Sequence, residues 1–298
     1  MDKPETNPIV DAKPNTVPMV PADWAALGTK AGYDPKPAEA LRLFIVGPSG
    51  EGKTTFNMSI PRNHNLDFDD GANAVPGARA NRTHIKNYGC LEAIIAKFVA
   101  DAKAGNRHWD RVTFDTIDEM VGMIKHQLEK EKGVEDITEF GSQGHGYNLI
   151  LERVWSKVMD LEEAGYTWAF NGHLKTKTEV NPATKKSETK IRESTYPSIA
   201  KKILTKSDFK LTVFCKPETV EEKEKVKLPG GQVIERPTGV ETTIRTYYVD
   251  TFTSQAQDNK ARGAPGMEGK FKIPLIDGWQ EFKTRYDSAV KNAKEKYC

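Results

Sequence analysis

Eight residues, Gly47-Pro48-Ser49-Gly50-Glu51-Gly52-Lys53-Thr54, constrain this chain more than any other stretch. They read G-x-x-x-x-G-K-[ST], the pattern of a phosphate-binding P-loop. Before them, Leu41-Arg42-Leu43-Phe44-Ile45-Val46 is a short, mostly apolar run of the kind that makes a buried strand. After them, Thr54 to Ser59 reads as the first turns of a helix that Pro61 stops. A glycine-rich turn can match by chance, but strand, glycine loop and helix in this order are the arrangement the chemistry needs. Glycines let backbone N–H groups turn inward around phosphate oxygens, and the helix N-terminus adds partial positive charge. Gly47 through Thr54, with Thr55 behind them, are therefore the candidate nucleotide-binding residues. Lys53 is placed to reach the β- and γ-phosphates and Thr54 to ligate Mg²⁺.

At 298 residues the chain is one large domain with decorations or two small ones. No apolar stretch approaches the roughly 20 residues of a membrane span, and no basic-then-apolar leader is evident. Cys90, Cys215 and Cys298 are widely spaced, in no metal-ligand pattern, and read as free thiols in a reducing cytosol. The formal charge is +2, so any case for nucleic acid has to be local.

Residues 1–38 hold seven of the 17 prolines without sustained periodicity and read as a flexible tail that Trp24 and Leu27 could anchor. A core over 39–216 and a β-rich extension over 217–298 complete the expected organisation. Within the core, 65–71 is a brief second strand ending in carboxylates, 75–87 a polar loop with Arg79 and Arg82, and 88–104 an amphipathic helix. Arg111 to Thr116 is a strand running into an acid, and Ile117, Met120, Val121, Ile124 and Leu128 are the apolar stripe of the next helix. The glycine-rich stretch 129–145 reads as a mobile loop. Leu151, Val154, Val158 and Leu161 mark another helix, 166–171 a fourth strand, 198–206 a short helix and 209–214 a fifth strand. In the extension, 225–228 and 232–235 flank Pro-Gly-Gly as a hairpin, 242–252 is a strand, 260–263 a polar loop, and Trp279 to Val290 a terminal helix.

Strands alternating with helices imply an α/β fold whose mainly parallel sheet binds ligand at the strands' C-terminal ends. Asp115 stands at such an end, 62 residues past Lys53. That suits a Walker B carboxylate acting on Mg²⁺, although an Asp there also suits the cap of the next helix. Between Leu174 and Arg192 lie Lys175, Lys177, Lys185, Lys186, Lys190 and Arg192 against Glu179 and Glu188. This is either a solvated loop or hairpin, or a phosphate-binding surface.

Several motifs in order resemble the RecA-like class, and the chain from about 39 onward is similar to phage-encoded RecA-like ATPases of the single-strand annealing kind. Asp115-Thr116 looks like that class's Walker B pair. Leu66-Asp67-Phe68-Asp69 resembles its second strand, with Asp69 standing where the catalytic Glu would be, one methylene shorter; Asp70, Asp118 and Glu119 are substitutes. Ala169-Phe170-Asn171-Gly172-His173 resembles the fourth strand, whose polar end senses the γ-phosphate through Asn171 or His173. The basic segment 175–192 then corresponds to the DNA-binding loop. Lys260-Ala261-Arg262-Gly263 resembles the Lys-x-Arg-Gly element that reaches a neighbour's ATP site, with Arg262 ranked above Lys260.

The resemblance implies ATP and Mg²⁺ as ligands, single-stranded DNA as partner, a homo-oligomer, a single-strand DNA-binding protein as accessory, and host-cell cytoplasm. The function expected is ATP hydrolysis in phage recombination or strand annealing. The basic segment has no aromatic residue before Tyr196, so DNA contact would be through phosphates rather than base stacking. Two other readings stand beside it. One is a nucleotide-dependent switch or scaffold with slow hydrolysis, which the short Asp69 favours. The other is a P-loop small-molecule kinase, for which Arg79 and Arg82 are the early arginine pair.

Overall fold

Strand β1, Leu43–Gly47, is buried at every position because strands flank it on both sides and helices cover both faces. The computed structural model describes residues 21–27, 34–75, 79–142, 144–180, 187–228, 232–251, 260–261, 264–267 and 269–297. After β1 come α2 (Lys53–Met58), β2 (Asn63–Asp67), β3 (Asn81–His84), α3 (Tyr88–Lys103), β4 (Arg111–Asp115) and α4 (Ile117–Lys132). Then follow α5 (His145–Glu163), β5 (Thr167–Val180), β6 (Ser187–Glu193), α6 (Pro197–Lys206), β7 (Phe209–Lys227) and β8 (Val233–Asp250). The chain closes with β9 (Lys260–Ala261), β10 (Lys270–Ile273) and α7 (Gly278–Tyr297). A short helix α1, Ala22–Ala26, precedes them all and leaves Trp24 and Leu27 exposed.

The strands lie in the order β10-β8-β7-β1-β5-β4-β2-β3, and the six from β7 to β3 are parallel. Side-chain alternation splits the core in two. Phe44, Val46, Leu66, Val112, Phe114 and Phe170 face α3, α4, α5 and α6. Leu43, Ile45, Phe209, Leu211 and Val213 face α2 and α7, where Phe56, Trp279, Phe282 and Tyr286 pack as a chain of rings. The protein is thus a mixed α/β structure with a central, mostly parallel sheet flanked by helices.

Several sequence expectations change. Residues 75–87 are not loop throughout: Asn81–His84 form β3, parallel to β2, so this half-exposed edge strand lacks the apolar alternation that would have marked it. The stretch 129–145 is largely structured. Helix α4 continues to Lys132, a 3₁₀ turn at Ile137–Glu139 buries Ile137, and α5 begins at His145. The basic segment is a hairpin, because β5 runs on to Val180 and pairs antiparallel with β6. Of its six cations, Lys175 and Arg192 have exposed described side chains. Lys177 and Lys190 are described for their backbone alone, and Lys185 and Lys186 lie outside the described residues. The expected short hairpin is the tip of a much longer one in which β7 and β8 pair from Thr212↔Asp250 out to Lys227↔Val233. Lys260 is not in a free polar loop: its backbone pairs with Lys210 in β9–β7, while Arg262 lies outside the described residues.

Candidate functional site

The C-terminal ends of β1, β5, β4 and β2 form one row, with Gly47 opposite His173, Asp115 opposite Asn171, and Asp67 opposite Asp115. In a parallel sheet that end is where ligands sit. The loop leaving β1 needs glycine for two reasons. Gly50 and Gly52 have φ of 73° and 93°, and a Cβ on Gly47 would fall 2.0 Å from the Val213 carbonyl oxygen. Lys53 opens α2 and is buried, its ammonium donating to the carbonyls of Gly47 (3.0 Å) and Pro48 (2.7 Å). Burial lowers its pKa, opposed by the charges of Asp115, Asp118, Glu51 and Asp69.

Asp115 ends β4 and is not a helix cap; Thr116 holds the N-cap position of α4, without a capping hydrogen bond. Burial pushes the Asp115 carboxyl up, tempered by Asn171, Thr54 and Asn65. Of these, the Asn65 amide donates to its Oδ2 at 3.3 Å, while the Asn171 amide makes no hydrogen bond. Asp118, in the first turn of α4, accepts the His173 backbone N–H at 3.0 Å and faces its Nδ1 at 3.5 Å. That carboxylate fixes the end of β5 and the imidazole together.

The acids after β2 divide by surroundings. Asp69 faces the site and accepts the Gly71 N–H at 3.0 Å. Asp70 turns to Arg82 at 3.5 Å, and Glu119 is exposed on α4. Asp67, which the sequence reading passed over as a strand residue, is fully buried and accepts from Ala72 N–H (3.2 Å) and Arg82 (3.4 Å). Its carboxyl is pushed up by burial and by neighbouring Asp69. The signal was present in Leu66-Asp67-Phe68-Asp69, but alternation alone does not say which acid points inward. Arg79 and Arg82, the pair a kinase lid would use, are both engaged, Arg79 with Asp277 at 2.7 Å and Arg82 with Asp67 and Asp70.

A cavity of about 400 Å³ lies over this row, lined by residues 49–55, Asp69, Gly71, Val75, Thr116, His173, Tyr247 and Leu275. That is in the range of small-ligand sites. A larger groove of about 930 Å³ between α3 and α5 has none of the buried, unpartnered polar atoms seen here. At the same strand ends and the start of α4, Asp67 Oδ1, Asp115 Oδ1, Thr116 Oγ1, Asp118 Oδ1 and both polar atoms of Asn171 are buried without a protein partner, and Thr116 lines the cavity. Buried polar atoms are ordinarily satisfied, so this concentration fits a polyanion, a hydrated cation and their water. The long hairpin completes the wall. Glu51 accepts the Cys215 N–H, Arg245 donates to the Gly50 carbonyl at 3.3 Å, and the Tyr247 ring lies against Gly52. Those residues follow the P-loop by more than 160 positions and carry no motif, so sequence reading did not find them.

Among the described residues no helix is long and apolar enough to cross a membrane. A search of curated proteins finds no match to the chain. A protein-family model described as an AAA domain matches residues 39–262, about three quarters of the chain, and members of that family generally use ATP with Mg²⁺. The match spans the glycine loop, all six parallel strands and the row of carboxylates, so this chain belongs to the AAA domain family of P-loop, nucleotide-binding ATPases.

Proposed function

We propose that the protein is a RecA-like ATPase that hydrolyses ATP to ADP and phosphate while acting on single-stranded DNA. The observation that carries the ATPase reading is that Asp115, Asp118 and Asp69 all act on the Lys53 ammonium, beside a cavity that Lys53, Asp69, Thr116 and His173 line. Residues 47–55 would cradle the triphosphate, with Lys53 exchanging its carbonyl partners for phosphate oxygens. Thr54 and Asp115 would hold Mg²⁺, which when bound neutralises charge on the phosphates. Asp69 would take the proton of the attacking water as the bond to the bridging oxygen breaks, and Asn171 and His173 would meet the γ-phosphate. Asp69 is one methylene shorter than a glutamate and its Oδ1 is held by the Gly71 N–H, which keeps a nucleotide switch with slow hydrolysis as the second reading.

The DNA reading rests on the basic β5–β6 hairpin, which continues directly from the strand carrying Asn171 and His173. Lys175, Lys177, Lys185, Lys186, Lys190 and Arg192 would bind phosphates, and neutralising Lys185 and Lys186 should flatten the salt dependence by ~0.7 in log-log slope per lost contact. Lys260 and Arg262 would act across a homo-oligomer. Arg262→Ala mixed with Lys53→Ala should then recover activity that neither has alone. A single-strand DNA-binding protein, a phage-encoded recombination setting and host cytoplasm complete the reading.

The deciding experiment measures ATP affinity and ATPase rate with and without single-stranded DNA, for the native protein and Lys53→Ala. Loss of tight binding in Lys53→Ala and DNA-stimulated turnover are expected. Equal affinity in the two proteins refutes the nucleotide site. A rate indifferent to DNA refutes the DNA reading and leaves the switch.

A further inference from the structure

A sheet face buried under a helix is ordinarily apolar, yet under α2 the facing residues of β2 and β4 are Asn63, Asn65, Asp67, Arg111, Thr113 and Asp115. Four of them, with Asn57 from α2, join in one network. The Asn65 amide donates to Asp115 Oδ2 at 3.3 Å, and the Asn57 amide donates to Asn65 Oδ1 at 3.0 Å. The Thr113 hydroxyl lies 3.0 Å from Asn57 Oδ1 and 2.9 Å from Asn63 Oδ1, and the Asn63 amide donates to the Asn57 carbonyl at 3.2 Å. Asn57, Asn63, Asn65 and Thr113 have no exposure to solvent.

The direction of the chain is fixed from one end. With a cation bound, Asp115 is ionised and only accepts, so Asn65 must present its NH₂ to it. Its carbonyl oxygen is then left for the Asn57 NH₂, which in turn faces Asn57 Oδ1 toward Thr113 and Asn63. Asn65 and Asn57 are thereby committed to one orientation, and Asp115 is tied to the helix that begins at Lys53. Its second oxygen, Oδ1, is buried without a protein partner. Buried polar networks are often replaceable by apolar side chains of similar volume without loss of stability, so stability alone does not call for this one.

We infer that Asn65, backed by Asn57, is a positioning residue for the divalent cation of the nucleotide site. It clamps one oxygen of Asp115 and so holds the other at a fixed place relative to Thr54 and the phosphate loop. The inference rests on the reading of Asp115 as the carboxylate that serves Mg²⁺. Partners one shell out from a metal ligand typically change metal affinity by about 10–100-fold when removed.

The test titrates MgCl₂ into protein with a fluorescent ATP analogue, and separately measures binding of the analogue in EDTA. The proteins are native, Asn65→Leu, Asn65→Ser, Asn57→Leu and Asp115→Asn, each with its melting temperature recorded without nucleotide. In Asn65→Leu the Mg²⁺ concentration for half-maximal binding should rise about tenfold or more, with EDTA affinity within twofold of native. Asn57→Leu should shift it the same way by less, and Asn65→Ser serves if the Leu variant does not fold. A merely structural role would lower binding in EDTA as much as in Mg²⁺, and that result overturns the inference. So does an unchanged Mg²⁺ requirement in folded Asn65 variants while Asp115→Asn shifts it, a result that leaves the reading of Asp115 standing. If Asp115→Asn itself leaves the requirement unchanged, that reading falls and the positioning role with it.

Discussion

The second strand that carries this network also carries a histidine whose surroundings forbid its charge, and acid should expose it. His64 sits on β2 between Asn81 of β3 and Val112 of β4. Its ring lies edge-on to Trp109 at 4.5 Å and to Phe98 at 5.3 Å, and its Nε2 meets the Thr83 hydroxyl at 2.8 Å. Its Nδ1 is buried without a partner. Protonation would place a charge among aromatic rings and a donor where no acceptor stands, and burial accordingly lowers the pKa to about 4. The unfolded chain takes up the proton near the ordinary 6.5. The folded pKa is depressed, so the neutral form belongs to the fold. The contribution is whole above pH 6.5 and is lost as pH falls from there toward 4, because only the unfolded state gains protons in that window. By linkage the loss is ~2 kcal/mol at pH 5 and ~3 kcal/mol below pH 4, against a total stability of roughly 5–15 kcal/mol. Urea unfolding of the native protein and His64→Leu at pH 7.5 and pH 5.0 isolates the term, since carboxylates titrate alike in both. The stability difference between the two proteins should move by ~2 kcal/mol in favour of His64→Leu at the lower pH. A difference that stays the same at both pH values refutes the reasoning.

Two further outcomes follow from single contacts. Lys210 on β7 is buried, and its ammonium meets Glu193 at the end of β6 at 2.6 Å. Glu193→Ala strands that charge and should cost about 3–5 kcal/mol in urea unfolding, while Lys210→Met added to it should recover most of the loss. Tyr247 is the one phenol ring among the described residues lining the cavity over the glycine loop. Base–aromatic stacking is worth ~1–3 kcal/mol, so Tyr247→Ala should weaken Mg-ATP binding roughly 5- to 150-fold and leave tripolyphosphate binding unchanged by calorimetry.

What could be read from sequence tracks how far local chemistry decides local structure. The loop at 47–54 was legible because only glycine supplies its backbone angles, and β1 because both its faces are buried and apolar. Helix α4 was legible from its apolar stripe. Strand β3 was not, since Asn81-Arg82-Thr83-His84 is a polar edge strand held by backbone pairing to β2. Strand β2 was half-read for a related reason: it begins at Asn63 rather than Asn65, with polar residues that are tolerable in a buried strand because partners on α2 and β4 satisfy the asparagines. Within the site, Lys53 and Asp115 were legible from spacing, while Asp67, Tyr247 and Arg245 depend on register and on a hairpin that returns from far along the chain.

That return also shows why the site cannot be assigned to the glycine loop alone. Helix α2 is six residues long, too short to hold its place by its own hydrogen bonds. Its outer face is held by α7, which lies beyond the residues the AAA family model matches. Phe56 meets Trp279 and Phe282 edge-on at 6.4 and 6.3 Å, and the Trp279 backbone N–H donates to Ser59 at 3.0 Å. The Trp279 ring also covers the buried Arg111 guanidinium at 5.1 Å, and Arg111 in turn donates to the carbonyls of Ala38, Glu39 and Leu41 just ahead of β1. On the inner face the amides of Asn57 and Asn65 tie the same helix to Asp115. The P-loop lysine is thus placed by two different devices, aromatic packing from the C-terminal helix outside and a polar network from the sheet inside. Packing sets where α2 sits, and the network sets which way the carboxylate beneath it faces.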